Sequence, residues 1–192
     1  MKHLNFSWLS FLVILPSLIG CVPMFAIGTA AGTGAYISED RRTSGMFIED
    51  EGKKKKSSKR ITQQFGSNVH INVTSYNRLV LLTGEAPTAE IKADIEKLIM
   101  GVDNVRKIYN EIAVANATSL ASRSNDTLLT SKVKTRFLTE RKFQINHVKI
   151  VSENAVVYLM GMVTRQEGDN AAQIASGTSG VRKVVKVFEY IN

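Results

Sequence analysis

The sequence is poor in cysteine and histidine: its 192 residues include one cysteine, Cys21, and three histidines. One cysteine cannot form a disulfide within the chain, so an oxidising compartment gives the fold no covalent support. Catalysis needs a nucleophile, a base or a metal cluster, and His70 and His147 occupy equivalent positions in two copies of a repeat described below. Recurrence in both copies favours a structural role for such a residue over a role in one active site. We therefore expect no enzymatic activity, no metal site and no cofactor.

Acidic residues are also in short supply. The chain has 17 of them against 25 basic residues, which gives a formal net charge of +8. A composition of 44% hydrophobic and 22% charged residues indicates a globular chain and excludes a disordered or fibrous one. A basic surface attracts phosphate-bearing partners, which are lipid head groups in one compartment and nucleic acids in another. The compartment therefore decides between these classes of function.

The N-terminus has the three-part layout of a secretory signal. A short basic start with Lys2 precedes an apolar run from Trp8 to Leu15. The segment Leu18-Ile19-Gly20-Cys21 then resembles a lipobox, in which a small residue precedes the cleavage site and the cysteine thiol takes up diacylglycerol. The alternative is an uncleaved membrane helix, which Pro16 and Pro23 disfavour.

We therefore predict a signal peptide at 1–20, lipidation of Cys21 with fatty acids such as palmitate, and a tether at 21–45. The residue after the cysteine is Val22. In enterobacterial sorting patterns, an aspartate at this position favours retention in the inner membrane. By resemblance to those patterns, Val22 favours the outer membrane. Each buried methylene contributes about 0.8 kcal/mol, so the two or three acyl chains of a mature lipoprotein would anchor it permanently.

An internal repeat covers most of the remaining chain. HINVTSYNRLVLLTG, which ends at Gly84, aligns without a gap with HVKIVSENAVVYLMG, which ends at Gly161. In the first copy, alternation predicts a strand through Val73, a turn at 76–78 and a second, more buried strand. A helix then opens at Thr88 and ends at Gly101, and a third strand covers 105–114. In the second copy the equivalent helix starts at Thr164, with Glu167 three residues on at capping-box spacing.

A further helix should precede each hairpin. In the second copy it is clear, with Asn125 or Asp126 as the cap and Leu129, Val133 and Phe137 on one face. In the first copy, four lysines at 53–56 fill its middle, so we expect either a partly unwound helix or a less stable domain. The basic run at 53–60 is either a solvated helix face or a contact for anionic head groups.

This arrangement resembles the BON domain. The carrying segments are INVTSYNRLVLLTGEAPTAEI, MGVDNVRKIYNEI, SNDTLLTSKVKTRFLT and ENAVVYLMGMVT. Two such domains behind a lipobox are similar to the dual-BON outer-membrane lipoproteins of the DolP/YraP family, which are linked to cell division and outer-membrane stress. The resemblance implies an α+β fold of two tandem BON domains, each α-β-β-α-β, with a small three-stranded mixed sheet backed by two helices. We place the domains at 46–114 and 125–192, joined by a polar linker at 115–124.

The resemblance also implies a non-enzymatic protein on the outer membrane, facing the periplasm, that supports envelope integrity and stress resistance. In that family the second domain binds anionic phospholipid through its first helix, which lies here at about 126–139. At about 100° per residue, one outward face of this helix carries Leu128, Ser131, Lys132 and Thr135, and Arg136 borders it. We predict these five residues as the lipid-binding surface.

The competing hypothesis is a periplasmic adaptor for outer-membrane assembly or for peptidoglycan remodelling at the division site. A nucleic-acid partner is not expected, because we predict that the chain is exported. The tetrad Gly177-Thr178-Ser179-Gly180 matches the GXXG of KH domains. That loop joins two helices in KH domains, whereas here we expect a turn between a helix and a strand.

Overall fold

The computed structural model describes residues 40–192, which belong to one compact unit. Cys21 and the predicted signal peptide lie outside the described residues. The first repeat comprises α1 (Ser44–Phe65), β1 (His70–Tyr76), β2 (Leu79–Ala86), α2 (Ala89–Met100), β3 (Lys107–Asn110) and β4 (Ala113–Val114). The second comprises α3 (Leu120–Glu140), β5 (Val148–Glu153), β6 (Val156–Val163), α4 (Arg165–Ser176) and β7 (Lys183–Tyr190). The predicted α+β class and the α-β-β-α-β order are confirmed.

Each repeat folds its own small mixed sheet. In the first repeat β1 pairs antiparallel with β2, and β2 pairs in parallel with β3 and β4. The single third strand predicted at 105–114 is therefore split in two, because residues 111 and 112 leave the ladder between Asn110 and Ala113. The Asn110 side chain accepts the Ile112 N–H at 3.3 Å. In the second repeat β5, β6 and β7 form the same arrangement without an interruption.

A buried aspartate on the first helix of each repeat holds the hairpin turn. The turns at Asn77-Arg78 and Asn154-Ala155 have positive φ at both positions, as two-residue hairpins of the I′ type require. Asp50 accepts both N–H groups of the first turn at 2.7 and 3.0 Å. Asp126 does the same for the second at 2.8 and 2.9 Å. Each helix is therefore fixed to its own hairpin by a carboxylate.

The helix boundaries correct one prediction and exclude one of two alternatives. Helix α3 starts at Leu120 with Ser119 as its cap, so the prediction of a cap at Asn125 or Asp126 was wrong: the Asp126 carboxylate serves the hairpin turn instead. Residues 120–124, part of the predicted linker, are consequently helical. Helix α1 is continuous, so of the two alternatives for the lysine run the partly unwound helix is excluded, and a less stable domain remains a prediction.

The two sheets pack face to face between their helices. Alternate residues of β2 and β6 point in opposite directions, and both sets are buried. Val80 and Leu82 face the helices of the first domain, whereas Leu79 and Leu81 join Tyr158, with further residues of both sheets, in a shared apolar cluster. Burial on both faces explains why these two strands read as continuous apolar runs.

Polar contacts at the edges of this interface also cross between the domains. Glu153 of β5 accepts from Asn72 at 2.8 Å and from Thr83 at 3.1 Å. Glu189 of β7 accepts from Asn77 at 2.7 Å, and it forms an ion pair with an arginine of the first domain, Arg106. The domains are therefore joined by an apolar interface and by two bridging carboxylates.

Candidate membrane-binding surface

The predicted lipid-binding residues lie on α3, and four of the five share its solvent face. Leu128 is 60% exposed, and Ser131, Lys132 and Thr135 are exposed beside it. The opposite face carries Leu129, Val133 and Phe137 into the core of the second domain. The helix therefore presents an apolar tip and a lysine to solvent at this face, as the helical spacing predicted.

Arg136 is placed differently from the other four. Its guanidinium donates to the Ile174 carbonyl of α4 at 3.0 Å and to Glu140 at 2.6 Å. These contacts hold the guanidinium against α4, away from the centre of the exposed face. Arg136 thus ties the two helices of the domain together and contributes little free charge to the predicted surface.

The hydroxyl groups along the exposed face are satisfied inside the helix. Ser131 donates to the Thr127 carbonyl at 3.1 Å, Thr135 to the Ser131 carbonyl at 3.0 Å and Thr139 to the Thr135 carbonyl at 2.9 Å. A bonded donor costs little to remove from water, whereas a donor without a partner costs several kcal/mol. The hydroxyl groups of this face can therefore lie against an apolar medium, whereas the Lys132 ammonium needs water or an anionic partner.

Half of the six basic residues at 53–60 on α1 form close polar contacts within their own domain. The contacts pair Lys53 with Glu49 (2.6 Å), Lys56 with Asp103 (2.6 Å) and Arg60 with the Gly101 carbonyl (2.8 Å). Lys53 is only 4% exposed, whereas Lys55 and Lys59 lie one turn apart on the exposed side of the helix. The run thus supplies fewer free cations than its sequence suggests.

Two consecutive arginines at the start of the described residues contact both domains. Arg41 donates to both carboxylate oxygens of Glu167, at 2.7 and 2.9 Å, and to the Met162 carbonyl at 2.8 Å. Arg42 donates to the buried Asp50 of α1 at 2.9 Å. The segment that leads to the predicted anchor therefore enters the folded part at the junction of the two domains. Sequence reasoning did not find this role, although an Arg-Arg pair just before a helix cap is a visible signal.

The Glu167 carboxylate gives this junction a dependence on pH. Burial alone would raise the pKa of Glu167, but hydrogen bonds from Arg41, from the Thr164 N–H and from His147 outweigh burial and lower the pKa from 4.5 to about 2. Glu167 also closes the capping box of α4 with Thr164, as the sequence predicted. The Glu167 carboxylate thus both caps helix α4 and binds Arg41, in the segment that precedes α1.

We expect Glu167→Gln to flatten the acid dependence of stability. The folded pKa lies below the unfolded one, so the contribution of Glu167 is present above about pH 4.5 and is lost as the pH falls towards about 2. Between pH 5 and pH 2.5 the wild type should lose about 2 kcal/mol more of its free energy of unfolding than the variant. Urea unfolding at the two pH values measures the difference, and equal losses in both proteins would contradict the assignment.

The described part contains neither a group of side chains suited to a metal ion nor a helix suited to spanning a membrane. Among residues 40–192 no three His, Cys, Asp or Glu side chains are grouped so that they could hold a metal ion. In the same range no helix has the length and apolar character needed to cross a bilayer.

The chain is an α+β protein built from two copies of one α-β-β-α-β module. The two copies pack sheet to sheet, and the second carries an exposed amphipathic helix. The family model described as the BON domain matches residues 55–116 and 125–192. Both matched ranges fall on the two repeats found in the sequence.

Curated relatives match along most of the chain. It is 37% identical to the outer membrane lipoprotein DolP of Haemophilus influenzae over 177 residues, 91% of each chain. It is 32% identical to a 21 kDa hemolysin of Actinobacillus pleuropneumoniae over 79% of each chain, and 25% identical to the osmotically-inducible protein Y of Escherichia coli over 96% of each. The chain belongs to the DolP family of dual BON-domain outer-membrane lipoproteins.

Proposed function

We propose that this chain is a non-enzymatic lipoprotein, acylated on Cys21 and facing the periplasm, whose second BON domain binds anionic phospholipid. Through that contact it supports outer-membrane integrity and resistance to envelope stress. The binding surface is the outer face of α3 around Leu128, Ser131, Lys132 and Thr135.

The observation that carries the proposal is the chemistry of this face. Leu128 supplies an apolar tip, Lys132 supplies a cation for a phosphate, and the hydroxyls between them are already bonded to the helix backbone. A lysine near an anionic surface contributes about 1 kcal/mol. Its long aliphatic stem also lets the ammonium reach the head groups while the helix lies flat on them.

Sedimentation with vesicles tests the proposal. Residues 40–192 hold both cores and the interface between them, so a form that begins after Cys21 keeps the described fold. At low salt this form should sediment with vesicles of phosphatidylglycerol and not with vesicles of phosphatidylcholine. Leu128→Glu combined with Lys132→Glu should weaken the binding at least about tenfold, and raised salt should weaken it further.

A matched control is available on the first domain. Met100 and Lys97 are an exposed apolar residue and an exposed lysine at the end of α2. Met100→Glu combined with Lys97→Glu makes the same change in charge and should leave vesicle binding close to that of the wild type. If both double variants weaken binding equally, only overall charge matters and the assigned face is wrong. If the wild type ignores anionic vesicles at low salt, the adaptor hypothesis replaces this one.

A further inference from the structure

A groove runs between the two domains on a side of α3 different from its outer face. Its volume is about 440 Å³, within the range of sites that hold small ligands. We call it the interdomain groove. Phe47 and Tyr76 line it from the first domain, and Thr130, Lys134, Ile145, Asn146, Val148, Lys149 and Ile150 line it from the second, with Asp40 and Arg42 at the junction.

Apolar atoms supply the larger part of the exposed wall of the interdomain groove, although six of its eleven lining residues are polar or charged. Phe47 is 39% exposed at the start of α1, and Ile145 and Ile150 are partly buried against the core of the second domain. The Thr130 hydroxyl is already bonded to Ser152 at 2.8 Å. The walls therefore suit a hydrocarbon chain better than a ligand that needs many hydrogen bonds.

The positive charge in the groove comes from Lys134 and Lys149, because Arg42 is occupied by Asp40 and Asp50. Lys149 lies on β5 with its side chain 31% exposed. Its ammonium is 3.4 Å from the Ser75 carbonyl and 3.8 Å from Glu51, both long contacts. Burial lowers the pKa of Lys149, and so do the nearby Arg42 and Lys54, whereas Glu51 and Asp50 raise it. A half-buried ammonium held only by contacts of this length can accept a closer anionic partner.

We infer that the interdomain groove binds one molecule of anionic phospholipid, with its phosphate paired to Lys134 and Lys149 and an acyl chain along Phe47, Ile145 and Ile150. Charge complementarity selects the phosphate, and the apolar walls select a ligand with a hydrocarbon chain over free phosphate or an acidic peptide. This site is separate from the outer face of α3, so it does not require that face to bind bilayers. It would let the protein hold a single lipid between its domains while α3 rests on the membrane.

A lipid that stays monomeric in water distinguishes binding in the interdomain groove from binding to a membrane surface. The form that begins after Cys21 is titrated with dihexanoyl phosphatidylglycerol below its micelle concentration, by calorimetry and by NMR. We expect saturable binding of one lipid per chain, with shifts at Ile145 and Ile150. Dihexanoyl phosphatidylcholine should bind at least about tenfold more weakly, since a lost charge contact of about 1.4 kcal/mol is tenfold in affinity.

Two variants and one control locate the ligand. Lys149→Met removes the ammonium and keeps the length of the side chain, and we expect it to weaken binding about tenfold or more without lowering the melting temperature. The Lys134 side chain is exposed, so Lys134→Met should weaken binding without any effect on folding. Leu128→Glu combined with Lys132→Glu should leave monomeric lipid binding unchanged although it impairs vesicle binding.

Three results would overturn the inference: no saturation with the anionic lipid, binding that neither lysine variant changes, or equal binding of inorganic phosphate or a glutamate-rich peptide. The two proposals fail separately. If the protein binds monomeric lipid but not vesicles, only the proposal for the outer face of α3 is wrong. If it binds vesicles but not monomeric lipid, only the proposal for the interdomain groove is wrong.

Discussion

Asp50→Ala should lower the free energy of unfolding by about 4 kcal/mol, because the carboxylate is the centre of a buried network. Asp50 is 1% exposed. It accepts four hydrogen bonds, from Ser75 Oγ (2.7 Å), Asn77 N (2.7 Å), Arg42 Nη1 (2.9 Å) and Arg78 N (3.0 Å). Alanine leaves these donors without their acceptor and removes one of the two carboxylates that neutralise Arg42.

Urea unfolding followed by circular dichroism measures this loss. Asp126→Ala makes the equivalent change in the second domain but frees only two backbone donors, so we expect about half the effect. Asp94→Ala is the matched control: its carboxylate is 54% exposed and lies 3.7 Å from Lys97, and its loss should change stability by no more than about 0.5 kcal/mol. If the Asp50 variant is as stable as the Asp94 variant, the buried network does not hold the first helix to its hairpin.

Local patterns in the sequence were sufficient for the order of elements. Period-two alternation through Val73, the Thr88 cap and the capping box at Thr164 each depend on residues within one turn or strand, and each is present in the structure. The match between the two copies reinforced these predictions, since a pattern that occurs twice in the same order is rarely accidental. Fold class and domain number followed from these observations.

Long-range partners could not be predicted in the same way. Asp126 lies at a position that suits a helix cap, and only the folded chain shows that its acceptors face the turn at Asn154. A usable signal was present, because Asp50 precedes the equivalent turn by almost the same number of residues. The positions of Lys53 and Arg136 likewise depend on partners, Glu49 and Ile174, that charge counting does not identify.

The packing of the two domains has consequences for the candidate sites. Leu79, Leu81 and Tyr158 are spaced as ordinary strand residues, and the sequence alone did not show which sheet they would meet. Their burial places the start of α1 beside β5, and this contact creates the interdomain groove. The outer face of α3 was accessible to sequence reasoning because it depends on one helix; the groove was not, because it depends on two domains.

Gly84→Ala should abolish stable folding of the first domain. Gly84 has φ +108°, and a Cβ there would lie 1.9 Å from the His70 carbonyl oxygen of the paired strand. No rotamer relieves a clash between a Cβ and backbone, so β1 and β2 would have to separate at the open end of their ladder, where Gly84 pairs with Ile71 and His70 with Glu85. We expect a loss of at least about 4 kcal/mol, seen as a lost or strongly lowered melting transition and a reduced yield of folded protein.

The helix glycine Gly52 provides the matched control, because a Cβ there meets nothing within 4 Å. Gly52→Ala should stabilise the protein by about 0.5 to 1 kcal/mol, opposite in sign to the same substitution at Gly84. Gly161→Ala, at the repeated position, would bring a Cβ to 2.2 Å from the His147 carbonyl without a positive φ, so its loss should be large but smaller than that at Gly84. If Gly84→Ala melts within a few degrees of the wild type, the close approach of the two strands at His70 is not a feature of the folded protein, and the glycine shared by both repeats needs another explanation.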